Sequence, residues 1–519
     1  MQQPLAPSHA LATGIGVPDW IGFHSRYRPN AKAFHSADSG QSFTYLEVHQ
    51  RIDRLAHWLR TSAGVKKGDR VMLLSRVTVE AFEVQFACAR LGAIFVPVNW
   101  RLSINELEKI ADDAQPAVLI YQKEFRDAAR ALGSRENCSS LAFDDKAASS
   151  WSEGIGSEEH VEIVPEELDW ESIWTILYTS GTTGKPKGVM ISYRMMYFNV
   201  LNFIPVSGVS FNSVFLCAMP IFHTGGLSCY ANPVLYCGGT VVVMADFKPE
   251  AALDLLIDTR LNITHFFGVP AIYLMIAESE RFQTARFAKL EVAGLGGAPA
   301  TESLVARWLS KGVPLQPSYG MTEIGPAIAI SNADQVAGKL RSSGHPVMNM
   351  EVRIADEHNR PVAPGEVGEL QVKGPVVMSG YWNDPKRTEE TFVDGWFRTG
   401  DVARLDAEGC LYIVDRYKDL YISGGENVYP TEVENAISKH PAVLQVAVIG
   451  VEDPKWGEVG KAFVVLKPGR ELAAEALNDH LKDLLASYKR PKHYRFVPEL
   501  PATSSGKVKK QDLPRALDD

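Results

Sequence analysis

Residues 178–188 read YTSGTTGKPKG and set the strongest constraint on this chain. They place three glycines, four aliphatic hydroxyls and two lysines between two apolar runs, 173–177 and 189–191. Small residues let backbone N–H groups approach an anion, hydroxyls donate to phosphate oxygens, and lysines neutralise them. A Walker A loop is excluded, because two residues separate Gly181 from Gly184 and Pro186 follows Lys185. A flexible surface loop is the ordinary fate of such residues. Clamping between two apolar strands favours a phosphate-binding loop instead, with Thr179, Ser180, Gly181, Thr182, Thr183, Gly184 and Lys187 as its candidate contacts.

A chain of 519 residues, 45% hydrophobic, can bury large cores and should form more than one domain. The net charge of −9 gives no basic footprint for nucleic acid. Six cysteines lack CxxC or metal-finger spacing, which fits a reducing, cytoplasmic setting. The N-terminal residues lack the basic and apolar regions of a signal peptide. Residues 195–245 carry no Asp, Glu, Lys or Arg, yet polar interruptions leave no run of about 20 apolar residues. They read as a buried core lining an apolar site rather than a membrane span.

Thr44 and Glu47 form a capping box before Val48, Ile52, Leu55 and Leu59 at helical spacing. Residues 70–75 and 93–98 read as strands around a helix at 81–91. The rhythm returns with strands at 240–244 and 263–267 around a helix at 251–259. Two related α/β halves with parallel sheets are therefore expected. Residues 370–372 and 404–414 alternate apolar and polar side chains, as in an antiparallel β-element. After residue 416, helices at 432–439 and 473–485 and strands at 443–449 and 462–466 make a small α+β unit. The expected division is a large domain over 1–416 and a small, mobile one over 417–519.

Four further segments carry chemistry. Residues 316–323, QPSYGMTE, supply Ser318, Tyr319 to stack on a base, Gly320, Met321, Thr322 to donate to an oxygen, and Glu323 to hold a cation. Residues 396–401, WFRTGD, place Asp401 on a turn suited to accept from ribose hydroxyls. Residues 418–430 combine Lys418, Ser423, Gly424, Gly425 and Glu426 in a glycine-bearing turn. Residues 500–510 hold Lys507 within Ser-Gly-Lys-Val; Lys509 and Lys510 read as solvated charges. A lone His223 in PIFHTGG (220–226) has no Asp or Cys partner to make a triad or metal site.

Together these motifs, from about Thr44 to Leu513, resemble the adenylate-forming superfamily of acyl- and aryl-CoA synthetases, luciferases and peptide-synthetase adenylation domains. The resemblance implies ATP, Mg²⁺ and CoA, acting on a small carboxylic acid. It implies that Gly297, Ala298 and Pro299 form the adenine-side turn, and that Ile413 and Arg416 lie with Asp401 at the ribose. Lys507, His223, Thr322 and Glu323 become the catalytic set, with Thr179 and Glu323 at the metal. Lys418 becomes the hinge, Ser423–Glu426 approach the thiol, and His223 gates or positions rather than acting as a base. The acid should be apolar, a fatty acid or a hydroxycinnamate-like aryl acid, lying against 195–245 and the small residues Gly325 and Ala327. A homodimer is allowed.

Three rivals share parts of this pattern. A carrier-loading adenylation enzyme would use the same first step, but no carrier module follows Lys510. A luciferase-type oxidase would emit light with oxygen. A non-catalytic nucleotide sensor would be expected to lack Lys507 or Glu323.

Overall fold

The computed structural model describes residues 16–133, 138–143, 155, 162–179, 186–298, 300–336, 338–339, 341–416, 419–423, 426–482, 484–503 and 508–515, the side chains at 335, 416 and 427 excepted. The first long helix, Tyr45–Thr61, begins at the expected capping box: Thr44 accepts from the Glu47 N–H, and Glu47 accepts from the Thr44 N–H. Such a cap is worth about 1 kcal/mol. Val48, Ile52, Leu55 and Leu59 are fully buried along one stripe.

Two sheets build the large domain. One orders the strands Gly380–Tyr381, Lys187–Ser192, Ile173–Thr179, Ile94–Val98, Arg70–Leu74, Val118–Gln122 and Ser139–Phe143. Its last five strands run parallel, and Ile173–Thr179 turns back antiparallel into Lys187–Ser192. The other sheet has nine strands. Its parallel centre runs Leu315–Tyr319, Val292–Leu295, His265–Gly268, Val214–Cys217, Thr240–Val243 and Lys32–Ser36. One continuous apolar core joins the two halves.

The charge-free stretch is the helix Tyr193–Ser207, the strands Val214–Cys217 and Thr240–Val243, and the helix Ala231–Cys237, all largely buried. Among the described residues no helix is long and apolar enough to cross a membrane.

A five-stranded antiparallel element follows, with Gly368–Lys373 between Glu351–Ala355 and Trp396–Leu405, and Leu411–Arg416 on the latter's other part. The alternation at 369–372 does not separate core from water. Glu369 and Gln371 are also buried, because Arg398 donates to Glu369 at 2.8 Å and Arg353 to Gln371 at 2.7 and 2.9 Å. Buried polar groups persist where they are paired in this way.

The small domain is a second five-stranded sheet. Val443–Asp453 and Gly457–Leu466 form its long hairpin, Tyr421–Ser423 and Glu426–Val428 its short one, and His493–Phe496 adds in parallel. The helices Pro430–Ser438 and Ala474–Leu481 cover one face around their own apolar cluster.

Candidate active site

The phosphate-loop motif begins at the tip of a hairpin, where Thr179 pairs with Lys187. Ser180, Gly181, Thr182, Thr183 and Gly184 lie outside the described residues, but the loop's root is firmly held. The Tyr178 hydroxyl donates to Asp113 Oδ2 at 2.7 Å, at the end of the helix Ile104–Ala114. Burial, then that carboxylate, pushes the Tyr178 phenol well above its usual pKa. Trp382 donates through its indole to the Asp113 carbonyl at 3.1 Å and through its backbone to Gly188 at 2.7 Å. Asp113 thus ties the root of the loop to the segment around Tyr381.

Tyr381 in turn reaches Glu323. Its hydroxyl donates to Glu323 Oε1 at 3.0 Å, and the Lys187 ammonium lies 5.7 Å from its ring centroid. Burial and the adjacent carboxylate raise the Tyr381 phenol far above its usual range, so it remains a donor. Glu323 is buried, while Met321 and Thr322 are half-buried on the turn beside it. Glu323 and Lys187, which come from two separate motifs, therefore meet at one tyrosine.

The nucleotide motifs converge as well. Tyr319 ends the strand Leu315–Tyr319, and its hydroxyl donates to Asp401 Oδ2 at 2.6 Å. Asp401 is 3% exposed, donates its backbone N–H to Thr399 Oγ1 at 3.1 Å, and pairs with Arg416 in the strand register. Ile413 sits on the same strand opposite Ala403. Ser318 donates to the Leu295 carbonyl at 3.0 Å, bringing the strand against the turn at Gly296, Gly297 and Ala298. Gly297 takes φ +81°, and a Cβ at Gly320 would fall 2.4 Å from the Pro326 carbonyl, so both glycines are required by the backbone. Pro299 lies outside the described residues.

His223 precedes the short helix Thr224–Leu227, its ring 4.7 Å from that of Phe222. Burial, then the Arg101 guanidinium, depresses its pKa to about 4, which leaves a neutral imidazole. Arg101 itself lies 4.2 Å from the Trp100 ring centroid.

In the small domain Ser423 pairs with Glu426 across the turn, where Gly424 and Gly425 lie outside the described residues. Lys418 and Lys507 also lie outside them. Two expectations are corrected. Lys510 is not a solvated charge: its ammonium sits 2.7 Å from Glu434. Burial works against its charge, but Glu434 and Asp415 hold its pKa above the usual value. Gly325 does not leave room for an acid. It adopts φ +75°, and a Cβ there would sit 3.3 Å from Val376, with Ala327 buried beside it.

Sequence reasoning missed Tyr178, Asp113 and Tyr381 as organisers of the site. Tyr178 opens the phosphate-loop motif without showing its partner, and Tyr381 lies in a Gly-Tyr-Trp-Asn-Asp-Pro turn at 380–385 that carries no chemistry until it is seen against Glu323.

Comparison with known proteins agrees with this arrangement. Residues 24–382 match the AMP-binding enzyme family, and residues 432–507 match the AMP-binding enzyme C-terminal domain. The chain is 39% identical over 500 residues to a feruloyl-CoA synthase of Amycolatopsis sp, covering 96% of this chain and 99% of that protein. It is 36% identical to an indoleacetate–CoA ligase of Aromatoleum aromaticum, over 96% and 97% of the two chains. Among solved structures, O-succinylbenzoate coenzyme A synthetase (MenE) from Bacillus subtilis, in complex with ATP and magnesium ion, superposes with TM-score 0.85 at 32% identity over 96% and 99% of the chains. ATP-bound MatB from Rhodopseudomonas palustris gives TM-score 0.87 at 29% identity over 96% and 98%. With both halves of the family pattern present in order on a large and a small domain, this chain is a member of the AMP-binding, adenylate-forming enzymes.

Proposed function

We propose that this protein is an ATP-dependent carboxylic acid–CoA ligase for an apolar or aryl acid. The carboxylate attacks the α-phosphorus of ATP, giving an acyl adenylate and pyrophosphate; the CoA thiol then displaces AMP to give the thioester. The observation that carries this reading is the Tyr319–Asp401 contact at 2.6 Å, which brings two separate motifs together at one place. The names of the relatives, CoA ligases for feruloyl, indoleacetate and succinylbenzoate groups, support the acid class.

In this reading Tyr319 stacks on adenine beside Gly297, Ala298 and Pro299, while Asp401, with Ile413 and Arg416, holds the ribose. Residues 179–184, with Lys187 and Thr322, bind the phosphates. The buried Glu323 carboxylate fits a Mg²⁺ ion, which takes one or two carboxylates and completes its shell with water and substrate phosphates. Glu323 and Thr179 would hold that ion, which would supply positive charge to the departing pyrophosphate. Neutral His223 positions the acid without taking a proton. Lys507 stabilises the charge developing between carboxylate and α-phosphate. The boundary at 416/417 lets the small domain turn about Lys418 and present Ser423–Glu426 to the CoA thiol. Six free thiols support a reducing, cytoplasmic setting, and a homodimer belongs to the same reading, testable by sedimentation.

Pyrophosphate release over a panel of acids tests the proposal. Release must require acid and ATP, and AMP must form stoichiometrically with a CoA thioester. Acid-independent ATP hydrolysis, or transfer of the acyl group to a protein carrier in preference to CoA, would contradict it.

A further inference from the structure

The helix Ile104–Ala114 ends against two pieces of the candidate site, and its terminal groups are shared between them. The last four carbonyls of a helix have no partner within it. Here Arg70 donates to the carbonyls of Ala114 and Gln115, each at 2.7 Å. The Asp113 carbonyl accepts from the Trp382 indole at 3.1 Å and from the Asn383 amide at 3.0 Å. The Asp113 carboxylate takes the hydroxyl of Tyr178, 65 positions away and the first residue of the phosphate-loop motif.

The two pieces that Asp113 holds also touch each other. The Trp382 N–H donates to the Gly188 carbonyl at 2.7 Å, and Tyr381 pairs with Val189 in antiparallel register. A Cβ at Gly188 would fall 3.1 Å from Trp382 Cβ and 3.2 Å from Tyr178 Cε1, so hairpin, indole and phenol close on one backbone point. Asp113 therefore stands one residue behind both groups that lead into the site. Tyr178 precedes Thr179, which pairs with Lys187, and Trp382 follows Tyr381, which donates to Glu323.

Resting on the ligase reading above, we propose that Asp113 is a positioning residue for adenylation. It fixes the hairpin of Thr179 and Lys187 against the arm that aims Glu323, so that the β- and γ-phosphates of ATP and their metal ion are met in one register. Asp113 acts through Tyr178 and Trp382, not on the substrate. Holding separate binding groups in one geometry lowers a barrier only for the step that uses all of them. AMP lacks the β- and γ-phosphates, and conversion of a preformed acyl adenylate to thioester does not use them, so both are indifferent to Asp113.

The test compares full-length Asp113→Ala, Asp113→Asn, Tyr178→Phe and the Asp113→Ala/Tyr178→Phe double variant, each with a thermal melt. In calorimetry with Mg²⁺ present, Asp113→Ala should weaken ATP about threefold to tenfold and leave AMP unchanged. The KM for ATP in acid-dependent ATP–pyrophosphate exchange should rise by the same factor, while thioester formation from supplied acyl adenylate and CoA stays at the wild-type rate. Asp113→Asn keeps an acceptor for the phenol and should lie between alanine and wild type. Tyr178→Phe removes the same bond from its other end, so it should match Asp113→Ala, and the double variant should be no worse than either single one. Equal weakening of ATP and AMP, equal loss in both half-reactions, or additive losses in the double variant would overturn the assignment. If Asp113→Ala fails to fold, the contrast of ATP with AMP in Tyr178→Phe decides it. Wild type without acid-dependent exchange on any acid contradicts the ligase reading, whereas the binding contrast still judges Asp113 by itself.

Discussion

The Tyr319 hydroxyl donates to the Asp401 carboxylate across 2.6 Å, joining the nine-stranded sheet to the antiparallel element that leads into the small domain. The bond holds the carboxylate beside the aromatic ring, so that under the proposed function residues 82 positions apart would recognise the two ends of an adenosine. Tyr319→Phe retains the ring and removes the bond. It should raise the KM for ATP about threefold to tenfold with kcat nearly unchanged, the range expected for one neutral donor. Asp401→Ala removes a charged acceptor and should raise it about 10- to 100-fold. Initial-rate pyrophosphate release at varied ATP separates the cases, and a fall in kcat without a change in KM would refute the ribose assignment.

Tyr381 is expected to govern the metal rather than the base or sugar. Tyr381→Phe leaves the buried Glu323 without the donor that now aims its Oε1. The Mg²⁺ concentration for half-maximal ATP binding, read by calorimetry, should rise about threefold to tenfold, while binding of AMP, which lacks the β- and γ-phosphates, stays as it was. Equal weakening of ATP and AMP would show that Tyr381 supports the fold and not the metal.

Much of this was legible in the chain because it rests on local rules. The capping box at Thr44, the helix and strand periods, and the two strands that flank the Gly/Thr/Ser segment each follow from a few neighbouring residues. What was not legible depends on distant pairing. Glu80, Glu83 and Arg90 lie buried on the helix Val79–Leu91, which the sequence shows as a helix without showing what would bury its charges. They are accommodated because Arg51 pairs with Glu80 and Glu83, and Asp53 with Arg90, across the adjoining helix. The Asp113–Tyr178 and Tyr381–Glu323 bonds span 65 and 58 positions, so no window of sequence contains them. Gly325 misled for the opposite reason. Smallness suggested free space, whereas a positive φ was the constraint.

His223 sets a pH expectation. Its pKa falls from 6.5 to about 4, chiefly through burial and then through Arg101, so the folded state favours the neutral ring. The neutral form's contribution to stability is fully present above about pH 6.5 and is lost as pH falls towards 4. Adenylation should therefore show no His223 titration between about pH 5.5 and 8. His223→Gln should lower acid affinity without moving the pH profile. An inflection near pH 6.5 that disappears in His223→Gln would assign the imidazole a proton-transfer role instead.

Acyl adenylation precedes thioester formation, and substitution of Lys507 should separate the two steps. In Lys507→Ala, acid-dependent ATP–pyrophosphate exchange should fall by a factor on the order of 10² or more, as when other groups that stabilise transition-state charge are removed. Conversion of supplied acyl adenylate and CoA to the thioester and AMP should persist near the wild-type rate. An equal loss in both half-reactions, or exchange that survives the substitution, would contradict the account.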